Sequence, residues 1–189
     1  MSGHRTLGLL VTLATIGGLL IQPPPATAQA PERFDGILVS TAALGTGLFR
    51  IRIQIEEYST DAEAQKFMAI LANEGWQKLE DAFIHEEKGR IIGPNQRGID
   101  IAYARSFPHE TGRIVRLATA RPIVFAEAYR NTRSREYAFG IIELRLDENG
   151  EGSGIVIAAA KAEFTDDGQL SIESYGHPPL SISTISRRE

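Results

Sequence analysis

Apolar and polar residues alternate along most of the chain with a period of two, the pattern typical of β-strands that are buried on one face. The clearest such segment is 49–56, where Phe49, Ile51, Ile53 and Ile55 are separated by arginine and glutamine and followed by glutamate. Successive side chains of a strand point to opposite faces, so this segment is predicted to bury the apolar residues and expose the polar ones.

Shorter segments with the same pattern predict nine or ten strands in all. Pro122 cannot donate to a strand ladder, which places it at the start of a strand or at a sheet edge. In the segment 169–175, Leu170 and Ile172 are predicted to point inward. The turns between segments are short, which favours antiparallel pairing. The further predicted strands, apart from the hairpin described next, are 34–39, 89–92, 99–104, 114–119, 122–127 and 180–185.

Residues 136–164 form the longest continuous β pattern and are predicted to be a hairpin around which the sheet is built. Asn149 and Gly150 tolerate positive φ angles, so the reversal is predicted there, as a type I′-like turn or a slightly longer loop. Ile141 and Ile142 are adjacent and both apolar. This pair predicts a β-bulge or a strand that is covered on both faces.

One stretch changes to a helical period. Thr60 and Glu63 form a capping-box pattern, and Gly75 is the residue type expected at a helix C-terminus. The stretch 61–84 is therefore predicted to contain two helices that are separated at this glycine. The predicted fold class is α+β: a large, twisted antiparallel β-sheet or partial barrel, with one helical pair inserted after the second strand.

The N-terminal segment has the pattern of a secretory leader. Arg5 precedes an apolar stretch over 6–21, prolines follow, and small residues at 26–28 form a signal-peptidase site. The apolar stretch is shorter than the ~20 residues that a membrane-spanning helix needs. We therefore predict a signal peptide over 1–28 and a single α+β domain over 29–189. The protein is predicted to be exported, periplasmic or extracellular, with no membrane span after cleavage.

The composition of the chain excludes several classes of partner and of chemistry. The chain has 24 acidic and 20 basic residues and no cysteine. This acidic balance argues against a nucleic-acid partner, because phosphate binding requires a broad basic face. The lack of cysteine excludes disulfides, a thiol nucleophile and a lipid-bearing cysteine after the leader. Burial of apolar side chains must therefore stabilise the fold.

The main local concentration of positive charge consists of Arg130, Arg133 and Arg135, on the polar connector that precedes the hairpin. Guanidinium groups bind carboxylates and phosphates through paired hydrogen bonds. These arginines are therefore the candidate binding residues for an anionic ligand or an acidic partner surface. The alternative interpretation is a solvated loop, because charged loops are common and no glycine-rich anion nest adjoins this one.

Candidates for catalysis or metal binding are few. His85 precedes two glutamates, but adjacent residues point in different directions and no second histidine stands at metal-ligand spacing. We therefore predict no metal, no cofactor and no catalytic set. The acids on predicted strands that could serve a hydrolase are Asp100, Glu127 and Glu143, and whether they meet depends on the strand order.

The segment 133–144, with Arg121-Pro122-Ile123 upstream and the alanines and lysine at 158–161 downstream, resembles a family of exported bacterial proteins of unknown function. The similarity extends from about Gly36 to the end of the chain. It includes no catalytic motif. The resemblance therefore implies a shared exported α+β fold and transfers no functional residue.

These features favour a soluble, exported, non-catalytic binding or interaction module. Its predicted partner is a small apolar molecule, an anionic molecule or another envelope protein. The alternative is a carboxylate-based hydrolase of the cell envelope. A further alternative is an outer-membrane β-barrel, whose strands alternate in the same way. Two features weigh against this last alternative. One is the helical insert, and the other is the small number of aromatic residues available for two interfacial girdles, with 5 Tyr, 8 Phe and 1 Trp.

Overall fold

The computed structural model describes residues 31–40, 47–94, 98–126, 133–176 and 178–188. Within these ranges it contains ten strands and two helices, and the predicted α+β class is confirmed. The elements in chain order are β1 (Glu32–Ser40), β2 (Gly47–Ile55), α1 (Asp61–Glu74), α2 (Trp76–Phe83), β3 (Gly89–Ile92), β4 (Gly98–Ile101), β5 (Tyr103–His109), β6 (Gly112–Thr119), β7 (Phe139–Leu146), β8 (Glu151–Phe164), β9 (Leu170–Ser174) and β10 (Leu180–Arg188).

The strands form one antiparallel sheet in the order β4-β3-β2-β1-β10-β8-β7-β6-β5, and β9 pairs with β8 outside this path. The first and last strands of this order are consecutive in the chain, because the predicted strand over 99–104 is interrupted at Ala102. The N–H of Ala102 donates to the carbonyl oxygen of Ala118 in β6 at 2.9 Å. Ser59, which follows β2, donates its N–H to the carbonyl oxygen of Ala104 at 2.7 Å. The sheet is therefore nearly closed and barrel-like.

The barrel interior is filled by apolar side chains from every strand of the main path. Ile51, Ile53 and Ile55 of β2 are all buried there, which confirms the predicted inward face of this strand. Phe49 is half-buried and packs against the same cluster. Phe34 of β1 is fully buried among these side chains. Hydrophobic burial in this interior is the main force that holds the strands together.

The two helices cover the outer face of the sheet at β7 and β8 and form a second hydrophobic cluster with it. Phe67 and Leu71 of α1 and Leu79 and Phe83 of α2 are its buried helical residues. The rings of Phe67 and Phe83 meet edge to face with 5.0 Å between centroids, and Phe83 meets Phe139 of β7 at 5.8 Å. The helical pair is thus fixed to the sheet by aromatic contacts.

The helix ends follow the predicted signals. The hydroxyl of Thr60 accepts from the N–H of Glu63 at 3.2 Å, and the carboxylate of Glu63 accepts from the N–H of Thr60 at 2.7 Å. This reciprocal pair is the capping box. Gly75 has a φ of 87°, which residues with a side chain rarely adopt, and it separates α1 from α2.

The predicted hairpin is formed by β7 and β8. Ile142 faces the barrel interior, Ile141 packs against the helix layer, and the strand register shifts between Phe139 and Ile141. Both explanations of the adjacent isoleucines, a bulge and a strand covered on both faces, therefore apply. Asp147 and Glu151 close the loop through an N–H···O bond of 2.8 Å, so the reversal is the longer form and not a two-residue turn.

The predicted strand over 122–127 is wrong within the described residues. Pro122 has no N–H to contribute to a ladder, and the N–H of Ala126 donates to the carbonyl oxygen of Ile123 at 2.8 Å, which makes a turn. Ile123 and Ala126 instead pack into the barrel interior. Their apolar character reflects this burial and not a strand.

The inward direction predicted for Leu170 and Ile172 is also wrong. Each residue is 43% exposed. They lie on β9, which pairs only with the second half of β8 and so extends past the region where the helices cover the sheet. Alternation identified a common face for the two residues, but that face is only partly covered.

Candidate functional site

An open groove of about 640 Å³ lies on the outer face of the sheet, where β10, β1 and β2 run side by side. Its charged lining residues are Asp35 of β1, Arg50 and Arg52 of β2, Arg188 of β10, and Glu151 at the start of β8. Hydroxyl groups and apolar side chains complete the walls, among them Thr184, Ser186, Ile37, Ile92 and Pro94.

Strand alternation and register bring these residues together. Ile51 and Ile53 point into the barrel, so Arg50 and Arg52 point outward from the same strand. Asp35 of β1 stands directly opposite Arg52 on one side and Ser186 of β10 on the other. The groove therefore follows from the pairing of three strands that are far apart in sequence.

One carboxylate in the groove faces two guanidinium groups. Asp35 Oδ2 accepts a hydrogen bond from Arg188 Nε at 2.7 Å, while Arg52 Nε lies 3.7 Å from Asp35 Oδ1. Within the described ranges, Arg50 makes no ion pair. The three arginines outnumber Asp35 and Glu151, which gives this lining a net charge of +1 on a chain whose net charge is −4.

A second polar cluster lies at the rim of the barrel, around Glu32 at the start of β1. Glu32 is only 6% exposed. Its carboxylate accepts two hydrogen bonds from Arg113, at 2.7 and 2.9 Å, and one from the Tyr58 hydroxyl at 2.6 Å. Arg187 Nε is 3.5 Å from Glu32 Oε1. We call Glu32, Tyr58, Arg113 and Arg187 the rim cluster.

Electrostatics keep the rim cluster in one protonation state. Burial acts to raise the pKa of Glu32, but the hydrogen bonds from Arg113 and Tyr58 outweigh it and hold that pKa below its ordinary value. Burial, followed by the neighbouring Glu32 carboxylate, raises the pKa of Tyr58. The carboxylate thus stays ionised and the phenol protonated near neutral pH. With its oxygens already engaged, Glu32 closes the rim and is poorly placed to act as a catalytic base.

A smaller hollow of about 430 Å³ shares Glu151 and Gly152 with the groove. His109 and Arg145 are among its other lining residues. His109 is the last residue of β5 and therefore stands beside this hollow.

The predicted arginine cluster lies elsewhere. Arg130 is outside the described residues, Arg135 is exposed, and the guanidinium of Arg133 donates to the carbonyl oxygen of Tyr137 at 3.1 Å. Burial raises the pKa of Glu80 in α2, and the positive charges of Arg135 and Arg133 oppose that shift. These two arginines therefore lie near α2 and are not among the lining residues of the groove. Their role in binding stays a prediction.

Two of the three acids proposed for a hydrolase, Asp100 and Glu143, occupy separate ion pairs. Asp100 of β4 accepts hydrogen bonds from Arg90 Nε and Nη2 at 2.9 and 2.8 Å. Glu143 of β7 accepts from Arg116 Nε at 3.0 Å and is also paired with Arg145. Glu127 lies outside the described residues. Across the described ranges there is also no group of three or more histidines and acids that could hold a metal ion.

Glu32 is the residue that the sequence pattern misses most clearly. The predicted first strand begins at Phe34, which leaves Glu32 in a short lead before the fold. A signal was present, because Glu32 has the same parity as Phe34 and Leu38, both fully buried. Extending β1 by two residues turns the carboxylate inward, and a buried carboxylate then requires a cation such as Arg113.

Comparisons with protein-family models, with curated proteins and with solved structures give no significant match. The resemblance to exported bacterial proteins therefore rests on the residues quoted for it and stays a prediction. In the part of the chain that the structure describes, no helix is long and apolar enough to cross a membrane.

Proposed function

We propose that this protein is an exported, non-catalytic binding module that holds an anionic small molecule in the groove of β10, β1 and β2. The ligand class is a carboxylate or phosphate monoester on a compact body. The observation that carries the proposal is the arrangement of guanidinium groups: Arg52 and Arg188 share Asp35, and Arg50 stands beside them without an ion pair among the described residues.

The groove suits such a ligand in size and chemistry. Small-molecule sites are typically ~300–1,000 Å³, and about 640 Å³ falls in that range. Guanidinium groups bind planar or tetrahedral anions through paired hydrogen bonds. The hydroxyls of Thr184 and Ser186 can donate to further oxygens, while Ile37 and Ile92 offer an apolar wall for the body of the ligand.

An anionic ligand is favoured over the apolar one that the sequence also allows. An apolar ligand in a barrel-like fold needs space in the interior, but buried side chains such as Phe34, Leu38 and Ile53 fill the described interior. The groove is on the outer face, and its lining has a net positive charge. Binding is therefore proposed on the outer face and through charge.

Export is proposed from the leader pattern, and N-terminal sequencing of protein recovered outside the cytoplasm tests it. The expected terminus is Gln29, because the small residues at 26–28 precede it. An intact Met1 in the membrane fraction would instead show that the leader is an anchor.

Calorimetric titration at low ionic strength tests the groove. The probes are inorganic phosphate, citrate and glucose 6-phosphate, with glucose as the neutral control. At 100 times the dissociation constant, a bound probe should stabilise the fold by ~2.7 kcal/mol in thermal unfolding. Affinity should fall as salt is added, because exposed guanidinium groups are screened.

The double variant Arg50→Gln/Arg52→Gln should lose this binding, while its melting temperature stays near that of the wild type. Arg90→Gln is the matched control, since Arg90 is also exposed on this face but pairs with Asp100 and is not a lining residue. Equal binding by the double variant, or the absence of any stabilising anion, would refute the groove as the site.

A further inference from the structure

The outer edge of β9 carries a second unassigned surface. This strand pairs with β8 along its inner edge, and no strand within the described ranges pairs with the other edge. Leu170 stands opposite Phe164 of β8, and Ile172 stands opposite Ala162. Phe164 and Ala162 belong to the cluster under the helices. An apolar strip therefore runs from the helix layer to the free edge, where Leu170 and Ile172 are each 43% exposed.

The backbone of the same two residues faces outward. At the turn end of the β8–β9 hairpin, the N–H of Thr165 donates to the carbonyl oxygen of Gln169 at 2.9 Å. At its open end, the N–H of Tyr175 donates to the carbonyl oxygen of Ala159 at 3.0 Å. Bonded and non-bonded pairs alternate along an antiparallel ladder. Both observations put the odd-numbered residues of β9 in bonded pairs with β8. The N–H and C=O groups of Leu170 and Ile172 consequently point away from β8.

This edge lacks the usual protection against pairing. Exposed edges are normally blocked by lysine, proline or a charge that points along the edge. The charged residue of β9 is Glu173, and its carboxylate accepts a hydrogen bond from the Tyr137 hydroxyl at 2.5 Å. Its parity also places it on the face opposite Leu170 and Ile172. At Leu170 and Ile172 the described residues thus leave the edge open to another strand.

We propose that the β9 of a second copy of this chain occupies the edge, related by a two-fold axis at Ser171. Leu170 then stands opposite Ile172 of the second copy, and Ile172 opposite its Leu170. These two bonded pairs form four N–H···O bonds and bring four apolar side chains together on one face. Glu173 meets Gln169 of the second copy, so no like charges face each other across the strand pair.

Self-complementarity is the reason to choose a second copy over an unrelated strand. A two-fold interface uses the same patch on both partners, and in this register Leu170, Ser171 and Ile172 of one copy face Ile172, Ser171 and Leu170 of the other, so apolar residues meet apolar ones and serine meets serine. The contact is small, so the dimer should be weak and concentration-dependent. It lies on β9 and does not depend on the groove.

Cysteine cross-linking of the full chain tests the register, because the chain has no cysteine of its own. In Ser171→Cys the two introduced thiols meet across the axis in a non-bonded pair, with ~4.5 Å between Cα atoms. Disulfides form over about 4.4–6.8 Å, so this variant should cross-link on mild oxidation. In Glu173→Cys the two residues are offset by four positions, ~13 Å, and should stay unlinked.

A second substitution in the Ser171→Cys background links the dimer to the apolar strip. Ile172→Lys should abolish the cross-link, whereas Ile155→Lys should not. Ile155 is the matched control because it is also on a strand and is 40% exposed, but on the part of β8 that β10 and β7 flank.

Sedimentation equilibrium of the wild-type chain should show a mass that rises reversibly with concentration. The proposal is overturned if Ser171→Cys stays monomeric under oxidation, if Glu173→Cys cross-links equally well, or if Ile172→Lys leaves the cross-link intact. Should Ile172→Lys fail to fold, the comparison of the two cysteine variants still decides the matter.

Discussion

Strand β1 carries two carboxylates three residues apart, Glu32 and Asp35, and they point to opposite faces of the sheet. Glu32 is 6% exposed and has three hydrogen bonds between 2.6 and 2.9 Å. Asp35 has a side chain that is 37% exposed, with one arginine bonded at 2.7 Å and another at 3.7 Å. Both carboxylates face guanidinium groups, yet only the arrangement around Asp35 leaves room for a ligand.

Burial decides whether each of these ion pairs acts on stability or on binding. In the rim cluster, the side chains of Glu32 and Arg113 are only 6% and 17% exposed, so breaking their pair would leave a largely buried charge with less compensation. In the groove, water and salt screen each charge, so the same kinds of residue contribute little to stability and can exchange partners. The rim cluster is therefore expected to act on folding and the groove on binding.

Removal of the inner carboxylate should have the largest effect. Glu32→Gln removes the carboxylate that accepts two hydrogen bonds from the largely buried Arg113, and we expect a loss of about 3–5 kcal/mol in the free energy of unfolding. Urea unfolding measures it. Asp100→Asn is the control, because it breaks an exposed pair with Arg90 and should cost no more than about 1 kcal/mol.

The double variant Glu32→Gln/Arg113→Met tests whether the instability of Glu32→Gln comes from the missing contact or from the guanidinium that remains at Arg113. With no guanidinium left at that position, stability should recover in part, so the two changes should not be additive. Additive losses would mean that the charges act independently and that the rim cluster is not a coupled unit.

Strand β2 allows the same comparison between an inner and an outer residue, and here the inner residue is apolar. Ile53 is fully buried, and Ile53→Ala should cost about 2–5 kcal/mol through lost burial and the cavity it leaves. Arg52 is the next residue and lines the groove, so Arg52→Ala should change stability by no more than ~0.5 kcal/mol. Similar shifts in the urea midpoint would contradict the division between an inner and an outer face.

Local patterns predicted the parts of this fold that local physics decides. The alternation in β2, the capping box at Thr60 and the helix break at Gly75 depend on residues close in sequence, and all three are confirmed. The groove depends instead on β10 pairing with β1, which brings Arg188 next to Asp35. No periodicity in the sequence specifies that pairing.

The errors have a common physical cause. Alternation shows which side chains share a face, but not whether anything covers that face, as Leu170 and Ile172 show. Apolar content likewise marks burial without specifying a strand, and Ile123 is buried in a turn. The connector arginines were grouped because they are adjacent in sequence, whereas the groove collects its arginines across strands.

Acid should weaken the fold through the rim cluster. The pKa of Glu32 in the fold lies below its ordinary value of 4.5, so its stabilising contribution is present above pH 4.5 and is lost as the pH falls through the lower folded value. Unfolding free energy measured from pH 6 to pH 3 should therefore fall for the wild type. Glu32→Gln should show a shallower decline, and an unchanged slope would mean that other carboxylates account for the acid sensitivity.

A substitution at Asp35 should change stability little and increase binding. Asp35→Asn removes the carboxylate that Arg52 and Arg188 share, and because that pair is exposed the free energy of unfolding should change by no more than about 1 kcal/mol. Both guanidinium groups then lack their carboxylate partner, so inorganic phosphate should bind more tightly than to the wild type. Titration calorimetry at low salt measures the change. Weaker phosphate binding by Asp35→Asn would mean that Asp35 positions the arginines for the ligand and does not compete with it.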